Sequence, residues 1–200
     1  AEIRTQIGWT YTQDELLAQS GWRDRWYVLG QRIEAHAAGV AKLTEQRIWL
    51  WGETGDRAAA IVRYVHGSEP LDLSWQPGTA VEAELVFYPS AYPLRAVMKT
   101  QFSEPIPSPK MPGYASISAA LAAYAAALAA NPWLEGFPIP LMACVPHRRG
   151  EVAIDLDNVG LPISPTFNQG WQLMAVSGGE AIGLFGEWNG EDWLPLSAFA

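Results

Sequence analysis

The chain has 200 residues, of which 49% are hydrophobic and 17% charged, a balance that supports a packed globule and excludes intrinsic disorder. Its formal net charge of −8 disfavours the basic surface that nucleic acid requires, so we expect no nucleic-acid binding through this region. The single cysteine, Cys144, excludes an internal disulfide and a Cys-rich zinc site, and it favours a reducing compartment, the cytoplasm.

Two helices are predicted near the N-terminus. Residues 12–15, with the sequence TQDE, match a capping box, which predicts a short helix that ends near Gly21. Apolar residues with the spacing of one helix face predict a second helix directly after it. These residues are Trp22, Trp26, Leu29 and Ile33. We expect the two indoles to pack on a sheet or, alternatively, to form a face that binds a partner.

Four strand-like segments follow between residues 46 and 102, with turn residues between them. Their sequences are RIWLWGE, RAAAIVRYVH, AVEAELVFY and LRAVMKTQF. Alternating apolar positions and intervening turns predict an antiparallel β-meander that carries the main hydrophobic surface of the protein.

A proline-rich connector, residues 103–113, follows the meander. Because each proline restricts the backbone, we place a domain boundary here, giving residues 1–104 and 105–200, or one continuous domain with two lobes. Ser116 then caps a predicted Ala-rich helix that ends at Asn131-Pro132. No apolar run reaches the roughly 20 residues of a membrane span, so we expect no contact with a membrane.

The last third of the chain is predicted to be β-rich. Two short strands should flank a basic turn at His147–Arg149, and two glycine-containing pairs predict further hairpins, Gly178-Gly179 and Asn189-Gly190. These strands indicate a small C-terminal β-sheet or a partial barrel. The predicted fold class is therefore α+β.

Cys144 and His147 are the one Cys/His pair close in sequence. Residues three apart on a strand point to opposite faces, so an inert buried cysteine beside a solvated histidine explains the pair better than a catalytic dyad. Asp155 begins a partial match to a calcium loop, but Val159 and Thr166 stand where oxygen ligands are required. The sequence predicts no metal and no cofactor.

Acidic residues flank the last hairpin next to tryptophans. Glu187 and Asp192 accompany Trp188 and Trp193, and acids beside aromatic rings are typical of clefts that process or bind sugars. Two alternatives therefore remain open: a carbohydrate-binding module that uses surface tryptophans, and a hydrolase with an acidic or Cys/His cleft.

Several segments resemble the region that follows the zinc motif in bacterial SWIM zinc-finger family proteins. They cover most of the chain from Gly21 onward and have the sequences GWRDRWYVLGQRIE, RIWLWGE, PGTAVEAELVFYPSAYPLRAV, NPWLEGFP and GEWNGEDWLPLS. The family is named for a Cys-x-Cys…Cys-x-His module, which this chain lacks. The resemblance implies that such a module would precede Ala1 in a longer protein.

The resemblance also implies the function that we expect. SWIM modules serve interactions with DNA or protein, and the acidic charge favours protein partners. We therefore expect a non-enzymatic protein-interaction region. The candidate contact residues are Trp22, Trp26, Trp188, Trp193, Glu187 and Asp192.

Overall fold

The structure is a computed structural model that describes residues 11–38, 41–67, 69–147 and 152–199. The chain divides into two compact units, Ala1–Ser108 and Pro109–Ala200, and each unit has its own sheet. The division falls in the proline-rich segment, four residues after the boundary that the sequence predicts. The predicted basic turn at Arg148 and Arg149 lies outside the described residues.

In its described part, the first unit contains one short helix and six strands. The helix is α1 (Gln13–Leu17), and the strands are β1 (Trp22–Ala38), β2 (Ala41–Gly52), β3 (Ala58–His66), β4 (Thr79–Phe87), β5 (Arg95–Gln101) and β6 (Ile106–Pro107). The predicted capping box is confirmed, since the Thr12 hydroxyl accepts from the Glu15 amide and the Glu15 carboxylate accepts from the Thr12 amide.

The strands of the first unit form a closed barrel. Their order is β1-β2-β3-β5-β4, and β4 pairs back onto β1. The four predicted strands exist, but the prediction of a purely antiparallel meander is wrong, because β3 and β5 pair in parallel. The chain continues from β3 to β4 without pairing these two strands, and β5 lies between them in the sheet. This connectivity is that of the five-stranded OB-fold barrel.

The predicted helix over residues 22–33 is wrong, because this segment forms strand β1. Trp26 and Val28 point into the barrel core, whereas Tyr27 lies on the opposite face. A register shift at Leu29 then inserts one extra residue into the pairing with β2. This bulge breaks the two-residue alternation and produces an apolar spacing that mimics a helix.

A buried glutamine holds the β3–β4 connection against the barrel. The side chain of Gln46 is 0% exposed, and its amide nitrogen donates to the Gln31 side chain (2.9 Å) and to the Asp72 carbonyl (2.7 Å). Its side-chain oxygen accepts from the Asp72 amide (3.1 Å). The same connection places the indole of Trp75 in the core. Gln46 therefore provides hydrogen-bond partners for the backbone amide and carbonyl of Asp72 in the β3–β4 connection.

In its described part, the second unit contains two helices and five strands. They are α2 (Ile117–Ala130), β7 (Phe137–His147), β8 (Val152–Asp155), β9 (Gly160–Pro162), α3 (Gly170–Ser177), β10 (Ile182–Trp188) and β11 (Trp193–Phe199). The sheet order is β11-β10-β7-β8-β9, and a parallel bridge between Ile163 and Trp193 joins its two ends. The five strands therefore follow the same order as those of the first barrel, with α3 between the third and fourth strands.

Of the two predicted glycine hairpins, one is confirmed and one is wrong. Asn189-Gly190 connects the antiparallel strands β10 and β11. Gly178, by contrast, ends helix α3. Its backbone is left-handed (φ 59°) and its N–H donates a hydrogen bond to the Met174 carbonyl, as is common at the C-terminus of a helix. The sequence WQLMAVS before it is helical, with Leu173 and Ser177 on its buried side.

The predicted Ala-rich helix is confirmed as α2. Ser116 caps it by accepting from the Ala119 amide (3.2 Å), and the Asp155 carboxylate accepts from the Ile117 amide (2.7 Å). Asp155 also accepts from the amides of Asp157 and Val159, so this one carboxylate ties the start of α2 to the β8–β9 turn. Strands predominate over helices in both units, and no helix within the described ranges has the length and apolar character needed to cross a bilayer.

Replacing Gln46 by leucine should destabilise the protein by about 2–4 kcal/mol, because the backbone groups of Asp72 lose their buried partners. Chemical denaturation followed by intrinsic fluorescence measures this change. Gln13→Leu, at an exposed position of α1, is the control and should change the stability by less than about 0.5 kcal/mol. Equal stability of the two variants would contradict the structural role of Gln46.

Candidate functional site

An apolar groove lies between helix α3 and strand β11 in the second unit. It encloses a volume of about 220 Å³. Its lining comes from the α3 side (Phe167, Gln169, Gln172, Leu173 and Val176) and from the β11 side (Pro195, Leu196, Ser197 and Ala198). We call this feature the α3–β11 groove.

Local sequence positions the helical wall of the groove. Residues at intervals of three and four share one face of a helix, so Gln169, Leu173 and Val176 line the same side. Leu173 is buried, whereas Val176 is 55% exposed. The left-handed Gly178 ends the helix directly after this face. A branched apolar side chain is therefore accessible on a short, well-terminated helix.

Strand β11 forms the other wall and is an edge of the sheet. The Ser164 amide donates to the Trp193 carbonyl (2.8 Å) at the start of the strand. After this contact, β11 pairs with β10 alone among the described strands. The register shift opposite Phe185 leaves Leu196 as the extra residue of a bulge. Bulges and prolines are common at sheet edges, where they limit unwanted pairing.

The groove carries no charged side chain, but the unit that contains it is acidic. Residues 109–200 include eight Asp or Glu and three Lys or Arg. Within the described part of this unit, Lys110 is the one Lys or Arg. Glu180 follows α3, and Glu191 and Asp192 precede β11. The unit that contains the groove therefore has eight acidic side chains against three Lys or Arg, an excess of five.

Burial removes three of the predicted contact tryptophans from the surface. Trp26 and Trp193 are 0% exposed and Trp188 is also buried. Trp26 donates its indole N–H to the Ala83 carbonyl (3.2 Å) inside the first barrel, and Trp188 makes an edge contact with the Tyr124 ring of α2. Trp22 is 46% exposed and remains a predicted contact residue. The prediction that Trp26 contributes to a partner-binding face is therefore wrong, and so is the hypothesis of a sugar-binding face for Trp188 and Trp193.

The predicted acidic pair does not line a cleft. Glu187 is buried on strand β10. Asp192 belongs to the β10–β11 turn, where its carboxylate accepts from the Asn189 side chain (3.1 Å) and its amide donates to the Asn189 side-chain oxygen (2.8 Å). Asp192 is therefore a turn residue. Because it is partly exposed, it remains a predicted contact residue.

The thiol of Cys144 is not a nucleophile. Its side chain is buried and lies opposite Asp155 in the β7–β8 pairing. Burial, with a smaller contribution from the Asp155 charge, raises the pKa of the Cys144 thiol to about 12, so the thiol is neutral at physiological pH. His147 is exposed at the end of β7. In the described part of the chain, no cluster of three or more His, Cys, Asp or Glu side chains is placed to hold a metal ion.

The first barrel does not offer the face through which OB-folds bind their ligands. That face lies on the second and third strands and the adjoining loops. On β2, Ile48 and Leu50 point into the core, so Trp49 and Trp51 lie on the outer face, and both are buried. The centre of this surface is therefore not available to an oligonucleotide or an oligosaccharide.

Comparison with known proteins identifies no relative from which a site can be transferred. No protein-family model matches the chain, and no match was found among curated proteins or solved structures. The assignment of a site therefore depends on the geometry of the chain itself.

Sequence reasoning missed the α3–β11 groove. Its helical residues lie in GWQLMAVS, a segment that predicts a strand when it is read with the glycines that follow. The signal that would have found them is the spacing of Gln169, Leu173 and Val176 together with the strong helix terminator Gly178. The sequence did predict the strand that forms the other wall, β11, but it did not predict that β11 lies at the end of the strand order.

Native protein should resist alkylation at Cys144. At pH 8, a pKa of about 12 leaves about one thiol in ten thousand ionised, so iodoacetamide should label the unfolded chain but not the folded one. The shift also makes folding less favourable as the pH rises above the ordinary thiol value of 9.0, because the unfolded chain ionises first.

Mass spectrometry of the alkylated protein measures this protection. The control is Cys144→Ser combined with Ala175→Cys, which places the thiol at an exposed position of α3 and should react rapidly at pH 8. Labelling of native Cys144 at the rate of this control would contradict the buried, neutral thiol.

Proposed function

We propose that this chain is a non-enzymatic region that binds protein partners, and that the α3–β11 groove is its docking site. The observation that carries the proposal is an accessible apolar side chain, Val176 (55% exposed), beside an open strand edge. Apolar side chains next to unpaired strand edges are costly to leave exposed, and both are features that protein interfaces use.

The size of the groove favours a protein side chain over a small-molecule ligand. Pockets for cofactors and drug-sized ligands enclose about 300–1,000 Å³, whereas the α3–β11 groove encloses about 220 Å³. Its lining is mostly apolar, with the amides of Gln169 and Gln172 at its border. Such a groove accommodates one or two side chains of a larger partner.

The charge of the chain and its buried tryptophans oppose the other ligand classes. Nucleic acid requires basic side chains near the binding surface, and the groove has none. Sugar rings stack on exposed indoles. Trp188 and Trp193, the pair that the sequence suggested, are buried, whereas Trp133 and Trp171 of the same unit are 55% and 65% exposed, so burial opposes a sugar-binding face at the predicted pair alone. Catalysis by Cys144 is opposed by its neutral thiol, and Glu187 is buried away from any substrate.

We further propose that the chain is the region that follows the zinc module in a SWIM-type zinc-finger protein. This part of the proposal rests on the sequence segments alone, such as RIWLWGE and GEWNGEDWLPLS. Sequencing the reading frame upstream of Ala1 tests it. A Cys-x-Cys…Cys-x-His module there supports the proposal, and an upstream frame without one contradicts it.

The docking site is tested with two neighbouring substitutions on α3. Val176→Gln replaces an apolar groove residue by a polar one of similar size, and Ala175→Gln places the same side chain at an exposed position that does not line the groove. Affinity capture with quantitative mass spectrometry should show partners that are depleted about tenfold by Val176→Gln, since loss of one buried apolar side chain costs a factor of this size.

The matched control identifies a general folding defect. Both variants should keep the circular dichroism spectrum and thermal midpoint of the parent chain, and Ala175→Gln should retain the captured partners. If no captured protein distinguishes Val176→Gln from Ala175→Gln, the α3–β11 groove is not the docking site.

A further inference from the structure

We infer that the first unit has a second binding site, at which the Trp22 indole and the Arg57 guanidinium hold a carboxylate that is attached to an apolar group. We call this the Trp22–Arg57 site. An Asp or Glu side chain next to an apolar residue of a protein segment has this chemistry. The site itself is independent of the α3–β11 groove, and only the choice of a protein as the carrier of the carboxylate rests on the proposed function.

The two side chains lie beside a residue that has no side chain of its own. Gly55 belongs to the turn between β2 and β3. A Cβ atom on Gly55 would lie 3.3 Å from Nε1 of Trp22 and 3.3 Å from Cγ of Arg57. Trp22 is 46% exposed, and Gly55 and Arg57 are partly exposed. The glycine therefore leaves a gap next to both side chains that solvent can reach.

Arg57 is partly buried without a carboxylate partner in the described part of the chain. Its guanidinium carbon lies 3.8 Å from the centroid of the Phe87 ring, and burial lowers the pKa of Arg57 although the nearby Tyr92 acts in the opposite direction. A partly desolvated cation without a counter-ion attracts an anion. Other arginines of the same unit do pair with carboxylates, namely Arg23, Arg32, Arg47 and Arg63.

Both side chains have hydrogen-bond donors left for such an anion. A guanidinium has five N–H groups, and in the described part of the chain only an Nη2 group of Arg57 has an acceptor, the Pro93 carbonyl (3.1 Å). Within the same residues, no group accepts from the Trp22 indole N–H. The planar fork of an arginine matches the two oxygens of a carboxylate. Arg57 therefore supplies the paired donors and Trp22 supplies a further one.

The carboxylates of neighbouring residues are engaged elsewhere. Asp24 accepts from backbone amides of the β2–β3 turn, and Asp56 accepts from the Trp51 indole (3.0 Å). Glu84 pairs with Lys99 (3.5 Å). These negative charges oppose a polyanion, as does the formal net charge of −8. Since Arg57 supplies one positive charge, a single carboxylate matches the site better than a phosphate dianion or a nucleic acid.

The exposed ring of Trp22 provides the apolar part of the site. An ion pair between exposed groups contributes little in water, so a carboxylate needs a further contact to bind measurably. Indole rings combine a flat apolar face with a polar N–H at the edge, and they are enriched in protein interfaces for this reason. The Arg57 guanidinium carbon lies 5.7 Å from the centre of the Trp22 ring. A carboxylate on Arg57 therefore brings its own apolar neighbour close to the indole.

Phenylacetate is the probe, and nuclear magnetic resonance of the full chain with ¹⁵N-labelled tryptophan measures its binding. The chain has ten tryptophans, and Trp22→Phe identifies the indole signal of Trp22. Phenylacetate at constant ionic strength should shift this signal in a saturable way. Phenylacetamide has the same shape without the charge and should bind at least about tenfold more weakly. An unchanged Trp22 signal, or an equal response to both compounds, overturns the inference.

Two arginine substitutions test the source of the positive charge. Arg57→Gln should weaken phenylacetate binding about tenfold. Arg95→Gln is the matched control, because Arg95 also lies over an aromatic ring, that of Tyr88 (4.5 Å), and it should leave the affinity within about twofold. Equal weakening by both substitutions contradicts the assignment to Arg57, since it would report net charge alone.

Gly55→Ala provides a second variant, because Arg57→Gln also removes the cation that covers the Phe87 ring and with it some stability. The added methyl group lies in the gap beside Trp22 and Arg57 and leaves every charge in place. It should weaken phenylacetate binding at least about threefold, with an unchanged circular dichroism spectrum. A folded Gly55→Ala chain that binds phenylacetate as tightly as the parent overturns the inference.

A capped pentapeptide with Glu between two Phe residues tests whether a protein segment carries the carboxylate. It should shift the Trp22 signal at least as effectively as phenylacetate, and its Gln counterpart should bind at least about tenfold more weakly. Binding of phenylacetate without binding of the peptide overturns the protein carrier. If Trp22 responds to neither probe while captured proteins still depend on Val176, this inference fails and the docking groove stands. The opposite result overturns the groove and leaves the Trp22–Arg57 site.

Discussion

Strand β1 is shared by the two sides of the first barrel, and the closure of that barrel depends on it. Its C-terminal part pairs with β2 at twelve positions, and its N-terminal part pairs with β4 at six. The extra residue at Leu29 interrupts the pairing with β2 shortly after the part of β1 that pairs with β4. A bulge of this kind bends a strand and increases its twist, as a closed sheet requires.

The closed shape of the first barrel explains why tryptophans fill its interior. A five-stranded barrel has a small interior, so large side chains fill it efficiently. Trp26 and Trp75 lie in that interior, and Asp24 fixes the adjacent turn by accepting from the amides of Thr54 (3.1 Å) and Gly55 (2.9 Å). The Arg25 amide donates to the same carboxylate. Burial by itself would raise the pKa of the Asp24 carboxyl, but the hydrogen bonds from these backbone amides hold it below its usual range. The aromatic richness of the sequence is therefore largely a packing requirement.

The second barrel is closed less completely, and its candidate site follows from that difference. Its parallel closure is the bridge between Ile163 and Trp193, after which β11 continues without a second strand neighbour among the described residues. Helix α3 lies beside this continuation and leaves the α3–β11 groove.

The sequence by itself determined those features that depend on neighbouring residues. The cap of α1 at Thr12, the cap of α2 at Ser116 and the hairpin at Asn189-Gly190 were all predicted correctly, because capping and turn geometry involve residues within four positions of one another. The strand character of β2 to β5 was equally clear from alternating apolar residues. The inert character of Cys144 was also predicted, since a small thiol in an apolar strand is buried in most folds.

Only the tertiary structure decided how these strands pair and which surfaces remain open. The spacing of Trp22, Trp26, Leu29 and Ile33 fits a helix in isolation, and it became a strand because β2 and β4 both pair with it. The exposure of Val176 and the open edge of β11 likewise depend on residues distant in sequence, which no local pattern encodes. Pairing across a sheet is a long-range choice among competing partners, and its outcome is set by the packing of the whole unit.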